Sequence, residues 1–365
     1  MTFALRLTIL VAVIIGLSSV PACAFHEHGV ANCGGCHVIH NSQNNQPINP
    51  DIPYGAELLL KYESTTDLCL SCHANAYGAV LGSDPLNPPT EKGAGNFVFL
   101  FEDNINDADD GLLVPISGDH AGHNVVSPAW SIPADPNYTT SPGGTYPSNS
   151  LSCTSCHDPH GNSSYRMLRS RGTETGTGFV FRFDAPTGEG IDIVTGVEGL
   201  TNHTAYQNGW SSWCANCHGM YHQQGMNNTF QHPVSRSLDA ETRNSYNAYN
   251  GPADPTGGTY ATAYIPELPI EDPSITVTST IGASTATQID CLTCHRAHAT
   301  SAPEALRWDP NITVLGLDGG VSGSYAIPSP YGRNQRPLCV KCHYQVSTQH
   351  GQDQACMDCH RDMHN

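Results

Sequence analysis

Hydrophobic and polar residues follow a regular period only over short stretches of this chain. Two stretches favour short helices, Ala56–Tyr62 and Asp239–Tyr246, and two favour short strands or hairpin arms, Phe179–Phe183 and Ile275–Ser279. Residues 85–147 are rich in proline, glycine, asparagine and aspartate, which predicts long loops. The pattern therefore predicts a mostly irregular chain with short helices and minimal strand.

The most continuous apolar run stands at the N-terminus. It extends over Leu7–Leu17 behind the positive charge of Arg6, and Ala22-Cys23-Ala24 fits a small-residue cleavage site. Residues 1–24 are therefore predicted to be a secretory signal peptide, removed before Phe25. The run is shorter than the roughly 20 residues of a spanning helix, so an exported mature chain without a transmembrane span is expected. An uncleaved anchor and lipidation at Cys23 stay open.

The composition is poor in the residues that build an ordinary globular surface and core. Charged residues make up 13% of the chain, against about 25% in typical domains, and 35 glycines and 26 prolines favour turns. The formal net charge of −18 argues against binding to nucleic acid, which requires a basic surface. Such a chain is either disordered or folded around large apolar cofactors, and its cysteines favour the second interpretation.

Seven copies of Cys-x-x-Cys-His use all but one of the 15 cysteines. The motif attaches a c-type haem, with the two thiols bonded to the porphyrin edge and the histidine on the iron. Redox dithiols and zinc sites also use Cys-x-x-Cys, but neither requires histidine next in every copy. Seven covalent haems are therefore predicted. The motifs are Cys33, Cys36 and His37; Cys69, Cys72 and His73; Cys153, Cys156 and His157; Cys214, Cys217 and His218; Cys291, Cys294 and His295; Cys339, Cys342 and His343; Cys356, Cys359 and His360.

The other histidines are numerous enough to give every iron a second imidazole. His40, His160 and His298 each follow a motif histidine by three residues. Because its own haem lies in the way, each is expected to reach a neighbouring haem. The predicted distal ligands are His26, His40, His123, His160, His232, His298 and His364, and further candidates are His222, His350, His28, His120 and His203. Irons with two histidines have no open position, which favours electron transfer over catalysis.

Eight segments in order along residues 25–343 carry specific residues in and around the motifs. They are Phe25–Ala31, Cys33–Ser42, Gly122–Val125, Pro142–Pro147, Cys153–Gly161, Trp213–His218 with the later His232-Pro233, Cys291–Ala299 and Tyr331–Arg333. In these segments the chain resembles the OmcS-like family of filament-forming outer-surface multihaem c-type cytochromes. The resemblance implies a multihaem fold of loops and short helices wrapped around a chain of stacked haems, all with bis-histidine iron.

The same resemblance implies a function and partners. Members polymerise head to tail and conduct electrons at the cell surface or outside the cell, towards extracellular acceptors and other multihaem cytochromes. They are electron-transfer proteins and not enzymes. In the family pattern, the histidine at the position of His40 ligates a haem of the next subunit, here the haem on Cys291 and Cys294.

The family pattern has six haem motifs, and this chain has a seventh. Residues 25–343 are therefore predicted to form a six-haem region, and residues 344–365 a C-terminal extension carrying the seventh haem. A conducting filament subunit is the favoured function. A soluble periplasmic or cell-surface electron shuttle is the alternative, and a multihaem reductase is disfavoured because no motif replaces its ligating histidine.

Overall fold

Short elements joined by long irregular segments make up the fold. The computed structural model describes residues 33–43, 46–74, 80–85, 87–90, 93–101, 103–105, 116–117, 121–191, 198–222, 234–251, 253–308 and 338–343. The α-helices are α1 (Cys33–Cys36), α2 (Thr65–His73), α3 (Cys153–Cys156), α4 (Trp210–Cys214), α5 (Gly219–His222), α6 (Ala240–Ala248) and α7 (Cys291–Cys294), followed by helical residues 338–343. The longest have nine residues.

The strands form three antiparallel pairs within the described residues. The first joins β1 (Ser42–Gln43) to β2 (Gln46–Pro47), the second β3 (Asp103–Ile105) to β4 (Ile116–Ser117), and the third β5 (Thr187–Glu189) to β6 (Ala205–Asn208). Single turns of 3-10 helix lie at Glu57–Leu59, Phe97–Phe101, Pro128–Trp130, Ser148–Ser150, Tyr165–Met167, Tyr260–Thr262 and Pro303–Ala305. The predicted preponderance of loops with minimal strand is confirmed.

Local side-chain chemistry explains where the two longest helices begin. The carboxylate of Asp239 accepts a hydrogen bond of 2.8 Å from the backbone N–H of Thr242, and α6 begins at the next residue, Ala240. The hydroxyl of Ser64 accepts from the N–H of Asp67 at 3.0 Å and caps α2 in the same way. The helix predicted at Asp239–Tyr246 is thus confirmed.

The helix predicted at Ala56–Tyr62 is wrong in extent. Only the 3-10 turn Glu57–Leu59 forms, and Leu58 and Leu59 both have a left-handed backbone with φ of 58°. The backbone around this turn instead bonds to the first motif, since Val38 N–H donates to Leu59 O at 2.7 Å. Tertiary hydrogen bonds therefore override the local helix propensity.

The two predicted strand regions differ in outcome. Residues 172–175 and 179–181 form a hairpin, because Phe181 N–H donates to Thr173 O at 3.0 Å and Thr175 N–H donates to Phe179 O at 2.9 Å. Ile275–Ser279 is not a strand but a turn, whose Val277 carbonyl accepts from His203 N–H at 2.8 Å. Ile275 is nevertheless fully buried.

The apolar core is divided into small clusters. One surrounds Leu81 and Phe99, another surrounds Tyr246 and Tyr264, and two smaller clusters contain Leu338 and Trp210 respectively. The described chain also contains a buried ion pair, in which Arg296 Nη1 is 3.4 Å from Glu198 Oε2. No helix among the described residues is long and apolar enough to span a bilayer.

Removing side-chain volume from one of these clusters should destabilise the chain. Leu81 is 0% exposed whereas Leu200 is 56% exposed. We expect Leu81→Ala to lower the free energy of unfolding by about 2–5 kcal/mol, and Leu200→Ala to change it by less than about 0.5 kcal/mol. Guanidinium denaturation of the two haem-loaded variants measures the difference, and equal midpoints would show that the cluster adds nothing to stability.

Candidate functional site

Three haem motifs coincide with single turns of helix. Helices α1, α3 and α7 each begin at the first cysteine of a motif and end at the second. The last two carry a capping box, Ser152 with Ser155 and Asp290 with Thr293. The following histidine leaves the helix with an extended backbone, as at His157 and His295. One turn therefore holds both thiols close together while the imidazole projects beyond them.

The twelve described cysteines all belong to motifs, and none of them forms a disulfide. The described residues also contain no group of three or more histidine, cysteine, aspartate or glutamate side chains arranged to hold a metal ion. Each free pair of thiols supplies the two groups that attachment of a c-type haem uses.

Four motif histidines share the same hydrogen bond through their Nδ1 atoms. The acceptors are Leu58 O at 3.0 Å for His37, Arg166 O at 2.8 Å for His157, Pro142 O at 2.8 Å for His218 and Glu304 O at 2.9 Å for His295. A carbonyl can only accept, so Nδ1 carries the proton and Nε2 keeps its lone pair. An imidazole in this tautomer, with its other nitrogen held by the protein, is the usual form of a metal-ligating histidine.

Outside the motifs, His123 has the same arrangement, since its Nδ1 donates to Ala297 O at 2.8 Å. Its ring centroid lies 6.0 Å from that of His218. Two nitrogen–metal bonds of about 2 Å on opposite faces of one haem place ring centroids roughly 6 Å apart. The pair therefore fits the two axial positions of the haem attached to Cys214 and Cys217.

A second pair joins different motifs. The rings of His37 and His160 are 6.2 Å apart and lie within 12° of parallel. His160, three residues after His157, is thus brought to the motif of Cys33 and Cys36 instead of its own. The donor set fits a bis-histidine haem, with His37 as the proximal ligand and His160 as the distal one.

The histidine at position 298 lies next to a further motif histidine. Burial, followed by the neighbouring His157 and His123, lowers the pKa of His298 to about 3. Its ring stacks on Phe97 at 4.5 Å. Burial and then His123 likewise lower the pKa of His218 to about 4. Both imidazoles are therefore neutral at physiological pH, which is the form that binds iron.

Successive motifs are spatial neighbours along the described chain. Thr65 Oγ1, in the helix of the second motif, lies 3.1 Å from Thr154 Oγ1 of the third motif. Cys291 N–H of the fifth motif donates to Ser211 Oγ, in the helix that carries Cys214, at 3.0 Å. Burial and then Cys217 raise the pKa of Cys156 to about 12, and burial and then Cys342 do the same for Cys294. Burial and then Cys69 raise the pKa of Cys36. Each of the first six motifs thus lies beside the next one in the sequence.

The remaining described candidates have different surroundings. His40 is exposed. His222 Nε2 lies 3.2 Å from Ser235 Oγ. His203 is buried and stacks on Tyr264 at 4.0 Å, with Nδ1 3.1 Å from Thr204 O and Nε2 2.8 Å from Ser279 O. Because both nitrogens of His203 face carbonyls, its geometry favours a structural role.

Several predicted site residues lie outside the described residues. They are Cys356, Cys359 and His360 of the seventh motif, and His26, His28, His120, His232, His350 and His364. Residue type gives no sign of the carbonyl groups that hold the motif histidines. Backbone acceptors leave no mark on residue type, so only the fold reveals them.

Comparison with known proteins agrees with this site. A profile of the family described as the doubled CXXCH motif matches residues 147–176. The chain is similar to the C-type cytochrome OmcS of Geobacter sulfurreducens, with 28% identity over an alignment that covers 93% of this chain and 98% of that protein. The predicted resemblance to OmcS-like multihaem c-type cytochromes is confirmed.

Two solved structures share the fold. They are described as the outer membrane cytochrome S filament and as the OmcS nanowires, both from Geobacter sulfurreducens. Their TM-scores are 0.71 and 0.70, each with 26% identity, covering 87% of this chain and 99% of the other. The predicted fold class, loops and short helices of a multihaem cytochrome, is thereby confirmed.

Replacing His123 should expose one iron, whereas replacing the buried His203 should not. We expect His123→Ala to bind about one carbon monoxide per chain after reduction and to show a high-spin ferric signal, because one axial position is opened. His203→Ala should lose about 1–3 kcal/mol of stability through its unpaired carbonyls, yet bind no carbon monoxide. Optical titration measures carbon monoxide binding, and low-temperature magnetic resonance detects the high-spin signal. If only the His203 variant bound carbon monoxide, His203 would be the axial ligand and His123 the structural residue.

Proposed function

We propose that this chain, an OmcS-like multihaem c-type cytochrome, is a filament subunit that conducts electrons along a row of covalent haems. The observation that carries the proposal is that each of the six described motifs lies beside the next in sequence order. A covalent haem supplies a one-electron iron couple at each motif. Close succession of such couples is what electron transfer over a long distance requires.

The histidine pairs favour conduction over catalysis. His37 with His160, and His123 with His218, would occupy both axial positions of their haems. These residues exclude substrate from the iron, and burial keeps an imidazole such as His218 neutral. Like OmcS-like cytochromes, the chain is accordingly an electron-transfer protein and not an enzyme.

The full number of haems and the division of the chain belong to the proposal. We infer that residues 1–24 are a signal peptide, residues 25–343 the six-haem region and residues 344–365 an extension with the seventh haem on Cys356 and Cys359. The motif spacing supports this division. His364 or His350 would ligate the seventh iron, while His26 and His232 would serve irons within the six-haem region.

A subunit contact is supported by an apolar surface around His40. Four of the nine exposed large hydrophobic residues in the described chain lie within residues 39–59: Ile39, Tyr54, Leu58 and Leu59. This N-terminal patch is drawn together because the Asn41 side chain donates to Ile52 O at 2.6 Å and Val38 binds Leu59. Exposed apolar patches mark interaction surfaces. A second copy of the chain would cover it, head to tail.

Within that contact, His40 would ligate the haem on Cys291 and Cys294 of the next subunit. Its exposure leaves the imidazole available to another chain. The subunit interface would then combine a coordination bond with burial of the N-terminal patch.

The expected location follows from the signal segment and from the relatives. We infer an exported protein at the cell surface or outside the cell, with other multihaem cytochromes and extracellular acceptors as its electron partners. The net charge of −18 disfavours nucleic acid as a partner. A soluble periplasmic or cell-surface shuttle would share the haem row but remain monomeric.

Loss of the His40 imidazole should abolish assembly before it affects haem attachment. We expect His40→Ala to retain the wild-type haem count by mass spectrometry but to form few or no filaments in native electron micrographs. The acceptor haem should then show an exchangeable axial position. Normal filaments from this variant would contradict the cross-subunit ligand, and monomeric wild-type protein would favour the shuttle.

Truncating the N-terminal patch should weaken assembly through lost apolar burial. Tyr54 is fully exposed in one chain, and Tyr260, 45% exposed, provides a matched tyrosine outside the patch. We expect Tyr54→Ser to raise the protein concentration needed for filament formation roughly tenfold or more, corresponding to about 1.4 kcal/mol, and Tyr260→Ser to leave it unchanged. Sedimentation at graded protein concentrations measures the concentration at which filaments form. Equal values for the Tyr54 and Tyr260 variants would show that the N-terminal patch is not part of the interface.

A further inference from the structure

Three motifs share a second segment that runs antiparallel to the haem-binding turn. The segments are residues 56–61, 164–169 and 302–307, here called the straps. Each strap forms an isolated bridge from a leucine to the motif histidine: Leu60 to His37, Leu168 to His157 and Leu306 to His295. A basic residue follows the leucine in every strap, namely Lys61, Arg169 and Arg307. The straps therefore repeat one local structure three times.

The same three hydrogen bonds join each strap to its motif. In the second strap, Arg166 O accepts from His157 Nδ1 at 2.8 Å, Met167 O accepts from Asp158 N–H at 2.8 Å, and Arg169 N–H donates to Cys156 O at 2.9 Å. In the first strap the corresponding groups are Leu58 O, Leu59 O and Lys61 N–H. In the third strap they are Glu304 O, Ala305 O and Arg307 N–H. All six bonds are 2.7–3.0 Å long.

Each strap contains two successive left-handed residues. The φ angles are 58° and 58° at Leu58 and Leu59, 50° and 58° at Arg166 and Met167, and 56° and 55° at Glu304 and Ala305. These six are two thirds of the nine non-glycine residues with positive φ in the described chain. A left-handed residue other than glycine costs about 1–2 kcal/mol. Such strain persists only where surrounding contacts enforce it, which is common at functional sites.

The side chains of the first left-handed residues do not explain the strain. Leu58, Arg166 and Glu304 are all exposed and differ in chemistry. What they share is a carbonyl directed at the Nδ1 of a motif histidine. The backbone conformation, and not the side chain, is therefore what these positions supply.

We propose that the straps are positioning elements that set the orientation and basicity of the proximal histidine in the first, third and fifth motifs. The left-handed pair directs one carbonyl at the imidazole and the next at the residue after it. The inference rests on the proposed function only in taking the motifs to hold haem. A proximal imidazole whose N–H donates to a carbonyl is a stronger ligand, which stabilises ferric iron and lowers the reduction potential.

An arginine side chain ties the second and third straps to their motifs. Arg169 Nε donates to Thr154 O at 2.7 Å, and Arg307 Nε donates to Leu292 O at 2.7 Å. Thr154 and Leu292 occupy the same place, directly after the first cysteine. The strap thus contacts the haem-binding turn at both ends, which holds the histidine and the thiols in one rigid unit.

Arg166 offers a matched pair of variants for the test. Arg166→Gly keeps a left-handed backbone without strain, whereas Arg166→Pro fixes φ near −65° and excludes it. Both remove the guanidinium and its bond to Ile191 O equally. We expect the proline variant to shift the low-spin resonance of one haem and to move one component of the redox titration to higher potential, at unchanged haem count. The glycine variant should match the wild type.

Glu304→Gly and Glu304→Pro repeat the comparison in the third strap. If Arg166→Pro does not fold, the pair at position 304 provides the test. The proposal would be overturned if the proline and glycine variants at one position had the same spectra and potentials. This holds whether both match the wild type or both differ from it by the same amount. These readouts do not depend on assembly. Wild-type protein that stays monomeric while the proline variants shift would contradict the filament alone.

Discussion

A histidine that ligates a metal through one nitrogen must have its other nitrogen satisfied by the protein, and this requirement organises much of the described chain. His37, His157, His218 and His295 each meet it with a backbone carbonyl. Each of these carbonyls comes from a segment outside the motif itself. Loops that would otherwise be free to vary are thereby held beside the haem-binding turns, and in three cases the backbone accepts a strained conformation to do so.

The scarcity of regular structure follows from the same arrangement. A chain that surrounds a row of cofactors places its backbone polar groups against motifs and loops, so that long helices and wide sheets have no role. The apolar residues collect in small clusters around Leu81, Tyr246, Leu338 and Trp210. Arg296 and Glu198 form a buried ion pair in the described chain. Removing one partner of such a pair typically costs about 3–5 kcal/mol.

Conduction and assembly would then depend on the same residues that hold the haems. His160 leaves the turn of its own motif to meet His37, and His298 lies beside His157. The first contact joins the third motif to the first, and the second joins the fifth motif to the third, so each of these histidines links two haem-binding units that are not consecutive in the sequence. At the N-terminal end the equivalent residue, His40, is exposed next to an apolar patch. A linker of this kind at the end of the row is suited to joining one subunit to another.

The sequence alone determined the chemistry, since Cys-x-x-Cys-His is a local pattern whose function depends on spacing within five residues. It also predicted the loops from glycine and proline, a short helix at Asp239–Tyr246, and the resemblance to OmcS-like cytochromes. The tertiary structure decided which histidines meet: His160 with His37, His123 with His218, and His203 with two carbonyls instead of a motif. It also replaced the helix expected at Ala56–Tyr62 with a strap. Pairing depends on how loops of unequal length return to the row, and carbonyl acceptors are present at every residue, so neither can be identified from residue type.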